Sequence, residues 1–261
     1  MARPDPEILA AVRSRVAAAL AAKDGLVFVG ICGAQGSGKS TLAQALAAVF
    51  DGSAILSIDD LYKTKADRIA MAAAVHPLFR TRGVPGTHDV ALGRDVIDAL
   101  ACGKEVRLPR FDKAQDDRVP ATEWPVATGV RLLILEGWMV GARPQDEAAL
   151  AAPINALERV EDPAGIWRRH ANAALADYRA LWARIDLLVL LAAPGFDVVE
   201  SWRRQQEHDL RARTGGGMRD DEIARFIAHY ERLTRHILAT MPGYADLVLP
   251  LDAGRRLRAP R

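Results

Sequence analysis

The 261-residue chain has only two cysteines, Cys32 and Cys102. They form no C-x-x-C pair and no Cys/His cluster, which argues against a zinc site or a disulfide framework. Cys32 sits inside an apolar run and reads as a small core residue. The chain has no excess of charge: 35 Lys and Arg stand against 33 Asp and Glu, a net charge of +2. The basic footprint expected of a nucleic-acid or anionic-membrane binder is therefore missing. No apolar run is long enough to cross a bilayer. The N-terminal stretch PDPEILAAVRSRVAAALAAKDG has apolar residues at helical spacing, but Arg13, Arg15 and Lys23 interrupt it. It reads as a helix within residues 1–24, neither a secretory leader nor a span. A soluble cytoplasmic protein is the expectation. Two further motifs are lacking. No Asp-x-x-Gly switch and no Asn-Lys-x-Asp guanine motif occurs in a suitable place, which lowers the reading of a GTP-driven switch.

What is present begins with GAQGSGKS, Gly33 to Ser40, which fits G-x-x-x-x-G-K-[ST]. LVFVGICG before it is the nearly continuous apolar run of a strand buried on both faces, and TLAQALAAVF after it has helical spacing. Strand, glycine loop and helix form the context that a phosphate loop needs. AILSIDD, VRLLILEG, DLLVLLAAP and ADLVLPLD read as four more strands. Helical patterns separate several of them, around Val90–Ala101, Ile166–Ala183, Val198–Leu210 and Asp220–Met241. Alternating strands and helices predict an α/β fold with a doubly wound parallel sheet, a P-loop NTPase architecture in one domain over residues 1–261. The stretches Ala74–Asp89 and Leu108–Pro125 are too long for simple connections.

In the loop, Gly33, Gly36 and Gly38 let the backbone approach phosphates with N–H groups turned inward. The nucleotide-binding set is Gly33, Ala34, Gln35, Gly36, Ser37, Gly38, Lys39, Ser40 and Thr41. Lys39 would reach the β- and γ-phosphates, Ser40 would ligate Mg²⁺, and the helix would point its positive end at the anion. The loop does not say whether the terminal phosphate goes to water, a protein or a small molecule.

Asp59 and Asp60 end the second strand. One carboxylate there can take a proton from an attacking hydroxyl or hold Mg²⁺ through water, and the other reading is a helix cap. Strand alternation sends the two side chains different ways, and Asp59 takes the catalytic role. Glu136 ends the third strand, where a carboxylate partners Mg²⁺ or its water shell. The long loops carry His88 and Asp89 in GTHDV, and Arg110, Asp112 and Lys113 in LPRFDKA. HPLFRTRG adds Arg80 and Arg82. Arg and Lys suit a small anionic substrate, and Asp and His suit hydroxyl recognition; an Asp cap or a solvated charged loop is the plainer alternative. SWRRQQEHDLRARTGGGMRDDEI sets Arg203, Arg204, Arg211, Arg213 and Arg219 around a triple glycine. That pattern reads as a lid over about 203–220 closing on phosphates, against the alternative of a solvated charged face.

With these residues, the chain resembles the D-glycerate 3-kinase family of P-loop kinases and, more distantly, phosphoribulokinase, uridine kinase and pantothenate kinase. The resemblance covers nearly everything after the first helix. It rests on GAQGSGKST, SIDDLYKT, GTHDV, LPRFDKA followed by DDR and WP, LILEGWMVG, and WRRQQE. Leu61 stands where the motif around Asp59 usually has an aromatic residue. The family implies ATP, Mg²⁺ and transfer of the γ-phosphate to the 3-hydroxyl of D-glycerate. By similarity Asp59 is the general base, Arg203 falls in a W-R-x-Q motif, and His88, Asp89, Arg110, Asp112 and Lys113, with Tyr62, face the acceptor. Lys39, Asp59, Glu136 and Arg203 form the expected catalytic set, with Ser40, Asp59 and Glu136 toward the metal. Another acceptor (a nucleoside, pantothenate or a sugar phosphate) stays open, as does a regulatory ATP-binding protein. A small hydroxy acid is the expected partner, with no nucleic acid, no membrane and no readable oligomeric state.

Overall fold

The computed structural model describes residues 3–214 and 218–258. Nine strands occur among them: β1 (Val27–Gly33), β2 (Ser53–Ser57), β3 (Val106–Arg107), β4 (Phe111–Asp112), β5 (Asp117–Arg118), β6 (Val126–Ala127), β7 (Leu132–Gly137), β8 (Leu187–Ala192) and β9 (Leu247–Pro250). Five of them form one sheet in the order β2-β7-β1-β8-β9, parallel throughout. These five match the strands expected from the apolar runs. β1 lies in the middle and all seven of its residues are buried.

The sheet is covered on both faces because its strands alternate two apolar sets. Phe28 and Cys32 of β1, Leu133 and Leu135 of β7, and Leu188 and Leu190 of β8 pack into one core cluster with the helix Val90–Ala101 and part of Asp220–Thr240. Val27, Val29 and Ile31, Leu132 and Ile134, and Leu187, Val189 and Leu191 face the other way. They meet the helices Pro6–Ala22, Lys39–Ala47 and Phe196–Thr214. Period-2 alternation between two apolar faces is what a doubly covered parallel strand requires.

The two long connections are folded rather than open. The first carries a 3-10 turn, Pro77–Arg80, and buries Leu78, Phe79 and Val84 in a third cluster with Trp167 and Leu157. The second forms two short antiparallel ladders, β3 with β6 and β4 with β5. A helix that the sequence reading did not separate, Lys65–Ala74, carries Arg68, only 1% exposed. Its guanidinium donates to the carbonyls of Lys63, Arg80 and Asp116 and pairs with the Asp116 carboxylate at 3.0 Å. A buried arginine is tolerated only when its donors are satisfied, and here that requirement staples both loops to the segment after β2. Among the described residues no helix is long and apolar enough to cross a membrane.

Candidate active site

Three carboxyl ends of neighbouring strands converge in this fold, and in an open α/β sheet that edge is where ligands bind. β1 delivers the loop Gly33–Ser40, β2 delivers Asp59, and β7 delivers Glu136. Gly38 sits at φ 90° immediately before the helix Lys39–Ala47, and Gly36 at φ 80°. At Gly36 an added Cβ would lie 2.6 Å from Trp202 Cβ, so only glycine lets the helix Phe196–Thr214 press on the loop. Arg255, from the chain's last described segment, donates to the Gly36 carbonyl at 2.6 Å and lies over the Trp202 ring. No sequence signal singled out Arg255.

Ser40 Oγ donates to Glu136 Oε1 at 2.9 Å, and Glu136 is only 6% exposed. Its second oxygen, Oε2, is buried without a hydrogen-bond partner. A buried carboxylate oxygen left unpaired is costly unless something supplies a charge or a donor, so this pair fits a cation or its bound water. Among the described residues no group of three or more His, Cys, Asp or Glu is placed to hold a metal by itself. Lys39 makes no ion pair or hydrogen bond among the described residues, which leaves its ammonium available to a phosphate.

Beside the loop lies a cavity of about 100 Å³. Gln35, Lys39, Asp59, Tyr62, Lys113 and Arg203 line it, together with Arg82, Trp138, Phe226 and Tyr230. Asp59 is held twice: Tyr62 Oη donates to Oδ1 at 2.7 Å and Lys113 Nζ to Oδ2 at 2.6 Å. Burial pushes its pKa up, but the Lys113 charge and hydrogen bond, the Tyr62 hydrogen bond and Lys39 together bring it down to about 2. Tyr62 is packed in turn against Phe111 and His88, at ring distances of 5.1 and 4.8 Å.

The other expected acceptor residues lie outside this cavity. Asp89 caps the helix Val90–Ala101 through the Leu92 amide and pairs with Arg118 at 3.2 Å. Asp112 accepts from the amides of Ala114 and Gln115 and closes the turn between β4 and β5. Arg110 pairs with Asp60 at 3.2 Å, and Asp60 also accepts from the Phe111 amide. Burial raises the Asp60 pKa, with Arg110 and the backbone donors opposing. Asp60 therefore anchors the hairpin, while its neighbour Asp59 faces the cavity.

His88 lies behind Tyr62 and is fully buried. Tyr178 Oη accepts from the Gly86 amide and holds His88 Nδ1 at 2.7 Å. Burial drives its pKa down to about 3, the Asp59 charge opposes, and Lys63 adds to the drop. Because the folded value lies below the ordinary 6.5, the unfolded chain binds more protons between those values. His88 thus favours the fold fully above pH 6.5 and loses that contribution as pH falls toward 3. His88→Gln should flatten the fall in the urea midpoint between pH 7 and pH 5. An unchanged fall would assign the acid sensitivity to other groups.

Four cavity residues were not among the expected site residues: Arg82, Trp138, Phe226 and Tyr230. Arg82 appeared only as a charge in HPLFRTRG, and Trp138 lies in the quoted EGWM motif. Phe226 and Tyr230 repeat at helical spacing, which does not distinguish a pocket wall from core. Trp138 Nε1 donates to the Gly83 carbonyl at 2.8 Å and Tyr230 Oη to the Arg82 carbonyl at 2.9 Å. Gly83 has φ 117°, and a Cβ there would lie 2.2 Å from Tyr230 Oη.

Of the arginines expected in a lid, Arg203 pairs with Glu207 and lies 5.1 Å over Phe226. Arg204 binds Glu200 and Asp220, and Arg211 binds Asp220. The last two therefore tie the helices Phe196–Thr214 and Asp220–Thr240 together. The triple glycine and the Arg213 side chain lie outside the described residues.

A parallel sheet with a glycine loop after β1, Glu136 at the end of the adjacent β7 and Asp59 just past β2 is the fold of a P-loop kinase. Residues 28–143 match the model of the phosphoribulokinase/uridine kinase family. The chain is 38% identical over 218 residues to the uncharacterized kinase mug58 of Schizosaccharomyces pombe, covering 77% of each. It is 30% identical over 235 residues to the chloroplastic D-glycerate 3-kinase of Arabidopsis thaliana, covering 84% of this chain and 48% of that one. Its fold is similar to that of D-glycerate 3-kinase from Cryptococcus neoformans, with a TM-score of 0.81 over 97% of this chain and 98% of that one, at 24% identity. The chain belongs to the phosphoribulokinase/uridine kinase family.

Proposed function

We propose that this kinase transfers the γ-phosphate of ATP to the 3-hydroxyl of D-glycerate, within a single catalytic domain. One observation carries the reading: a small cavity beside the phosphate loop that sets one carboxylate, Asp59, among Lys39, Arg82, Lys113 and Arg203. Cations around one base suit a small acceptor that carries its own negative charge next to a hydroxyl. The resemblance to D-glycerate 3-kinases supports the same acceptor.

The transfer needs little covalent chemistry from the protein. The acceptor oxygen forms a bond to the γ-phosphorus, and the bond to the β–γ bridging oxygen breaks with its electrons leaving on ADP. The hydroxyl proton passes to Asp59. Lys39 and Arg203 offset charge on the transferring group, and the wall of Trp138, Phe226 and Tyr230 excludes water. Ser40 and the unpaired Glu136 oxygen fit Mg²⁺, which when bound would neutralise phosphate charge. Asp59 is hydrogen-bonded to Tyr62 and Lys113 and not to the Ser40–Glu136 pair, so it is assigned to the proton and not to the metal. On the other side of the loop a larger cavity of about 730 Å³ borders Ser37, Gly38, Thr41 and Leu257, and suits the nucleoside end of ATP.

The test is ADP release from ATP and Mg²⁺ with D-glycerate, uridine, pantothenate or ribulose 5-phosphate. Stimulation by D-glycerate, with 3-phosphoglycerate as product, is the expected result. A response only to another acceptor would keep the kinase and discard this substrate.

A further inference from the structure

Three acceptor-side cations line the cavity, and each has an anionic partner in the resting enzyme. Arg82 is bound to Asp116 and Arg203 to Glu207, both outside the cavity lining. Lys113 differs, because its partner is Asp59 itself. The two groups that hold Asp59 also differ in mobility. Tyr62 is buried, wedged between His88 and Phe111, and bonded to Oδ1. Lys113 reaches Oδ2 from the β4–β5 turn on a flexible four-carbon stem, with its side chain 62% exposed. It lines the same cavity as Asp59 and occupies Oδ2, and a hydroxyl must come within about 2.6–3.2 Å of the carboxylate to hand over its proton.

We infer that Lys113 is a substrate-operated latch: with the acceptor absent it covers Asp59, and the acceptor's anionic group draws it away and uncovers the oxygen that receives the hydroxyl proton. This rests on the kinase reading above and goes beyond it. Attraction between Lys113 and the acceptor anion replaces attraction between Lys113 and Asp59, so the charge exchange is nearly balanced and the lysine need only swing its stem. A device of this kind has a second effect. While the latch is closed, Asp59 does not serve a water molecule, so ATP is protected from hydrolysis until an anionic acceptor arrives. In this scheme Lys113 acts on the proton transfer through Asp59 and on acceptor binding through its own charge.

The test compares the wild type with Lys113→Met and Lys113→Arg, and measures two quantities on each. The first is ATP hydrolysis with no acceptor present. The second is KM and kcat for D-glycerate. Lys113→Met should raise acceptor-free hydrolysis several-fold and raise the acceptor KM at least tenfold, and Lys113→Arg should reverse most of both changes. Because Lys113 is largely exposed, loss of folding is not the expected consequence, and unchanged urea midpoints would check this. A raised KM with acceptor-free hydrolysis unchanged or lowered would overturn the latch and leave a plain binding lysine. Unchanged hydrolysis with unchanged KM would also overturn it. The hydrolysis measurement needs no acceptor. If D-glycerate fails to stimulate the wild type while Lys113→Met still raises hydrolysis, the substrate reading falls and the latch stands.

Discussion

Asp59→Asn is expected to lower kcat by about 10²–10⁴-fold, the usual contribution of a positioned general base. Asparagine has nearly the same shape and keeps an oxygen for the Tyr62 hydroxyl, so the fold should persist. It has no charge to hold Lys113 and no basicity toward a hydroxyl. ATP binding should be little changed, because the nucleotide is assigned to the loop from Gly33 to Ser40 and the acceptor to Asp59. The measurements are kcat with saturating acceptor, the Kd for ATP and the urea midpoint. A kcat within threefold of wild type would remove Asp59 from the base role. The pH dependence follows from the same contacts. With its pKa lowered from 3.8 to about 2, Asp59 stays ionised through the working range. Its contribution to stability is complete above the ordinary value and is lost as pH falls through 2. The kcat/KM profile of the free enzyme should therefore show no acid limb from Asp59 above about pH 4.

Lys39→Ala should lower kcat/KM by on the order of 10³-fold, comparable to losing other charged donors that act on a transferring phosphoryl group. Lys39 has no ion-pair or hydrogen-bond partner among the described residues, so its removal breaks none of these and takes away only its longer-range attraction to Asp59. Stability should change little. ATP affinity should fall together with turnover. A variant that binds ATP normally and turns over within tenfold of wild type would show that the terminal phosphate lies elsewhere. The two variants also separate the roles. Loss of Lys39 is expected to weaken both nucleotide binding and turnover, whereas loss of Asp59 leaves binding and stops transfer.

Most of the scaffold was legible because it depends on local chemistry. Five short, nearly continuous apolar runs became the five strands of the sheet, and the helix Val90–Ala101 has the bounds its pattern suggested. The loop Gly33–Ser40 needs its residues at fixed spacing along one short stretch, so it could be read directly. Asp59 and Glu136 were legible for a related reason: each follows an apolar run, Glu136 near the end of β7 and Asp59 in the 3-10 turn just past β2, and a parallel sheet brings such ends to one edge. The long loops were harder. Asp89 and Asp112 can be read in the sequence as binding residues or as caps, and their carboxylates accept from backbone amides two or three positions along the chain, outside the Asp59 cavity. Asp and Asn commonly make such local bonds, and sequence alone does not say which partner wins.

The sequence by itself determined the fold class, the phosphate loop and the strand-end carboxylates, because each is encoded within a few consecutive residues by burial and backbone constraint. The tertiary structure alone decided which loop residues face the cavity. Arg110 was taken by Asp60, fifty positions away, and Arg82 entered the cavity instead. Trp138, Phe226 and Tyr230 became its wall, and Arg68 fixed both loops from beneath. These outcomes depend on competition among distant ion pairs and on the space left between packed elements. Spacing along the chain carries no record of either.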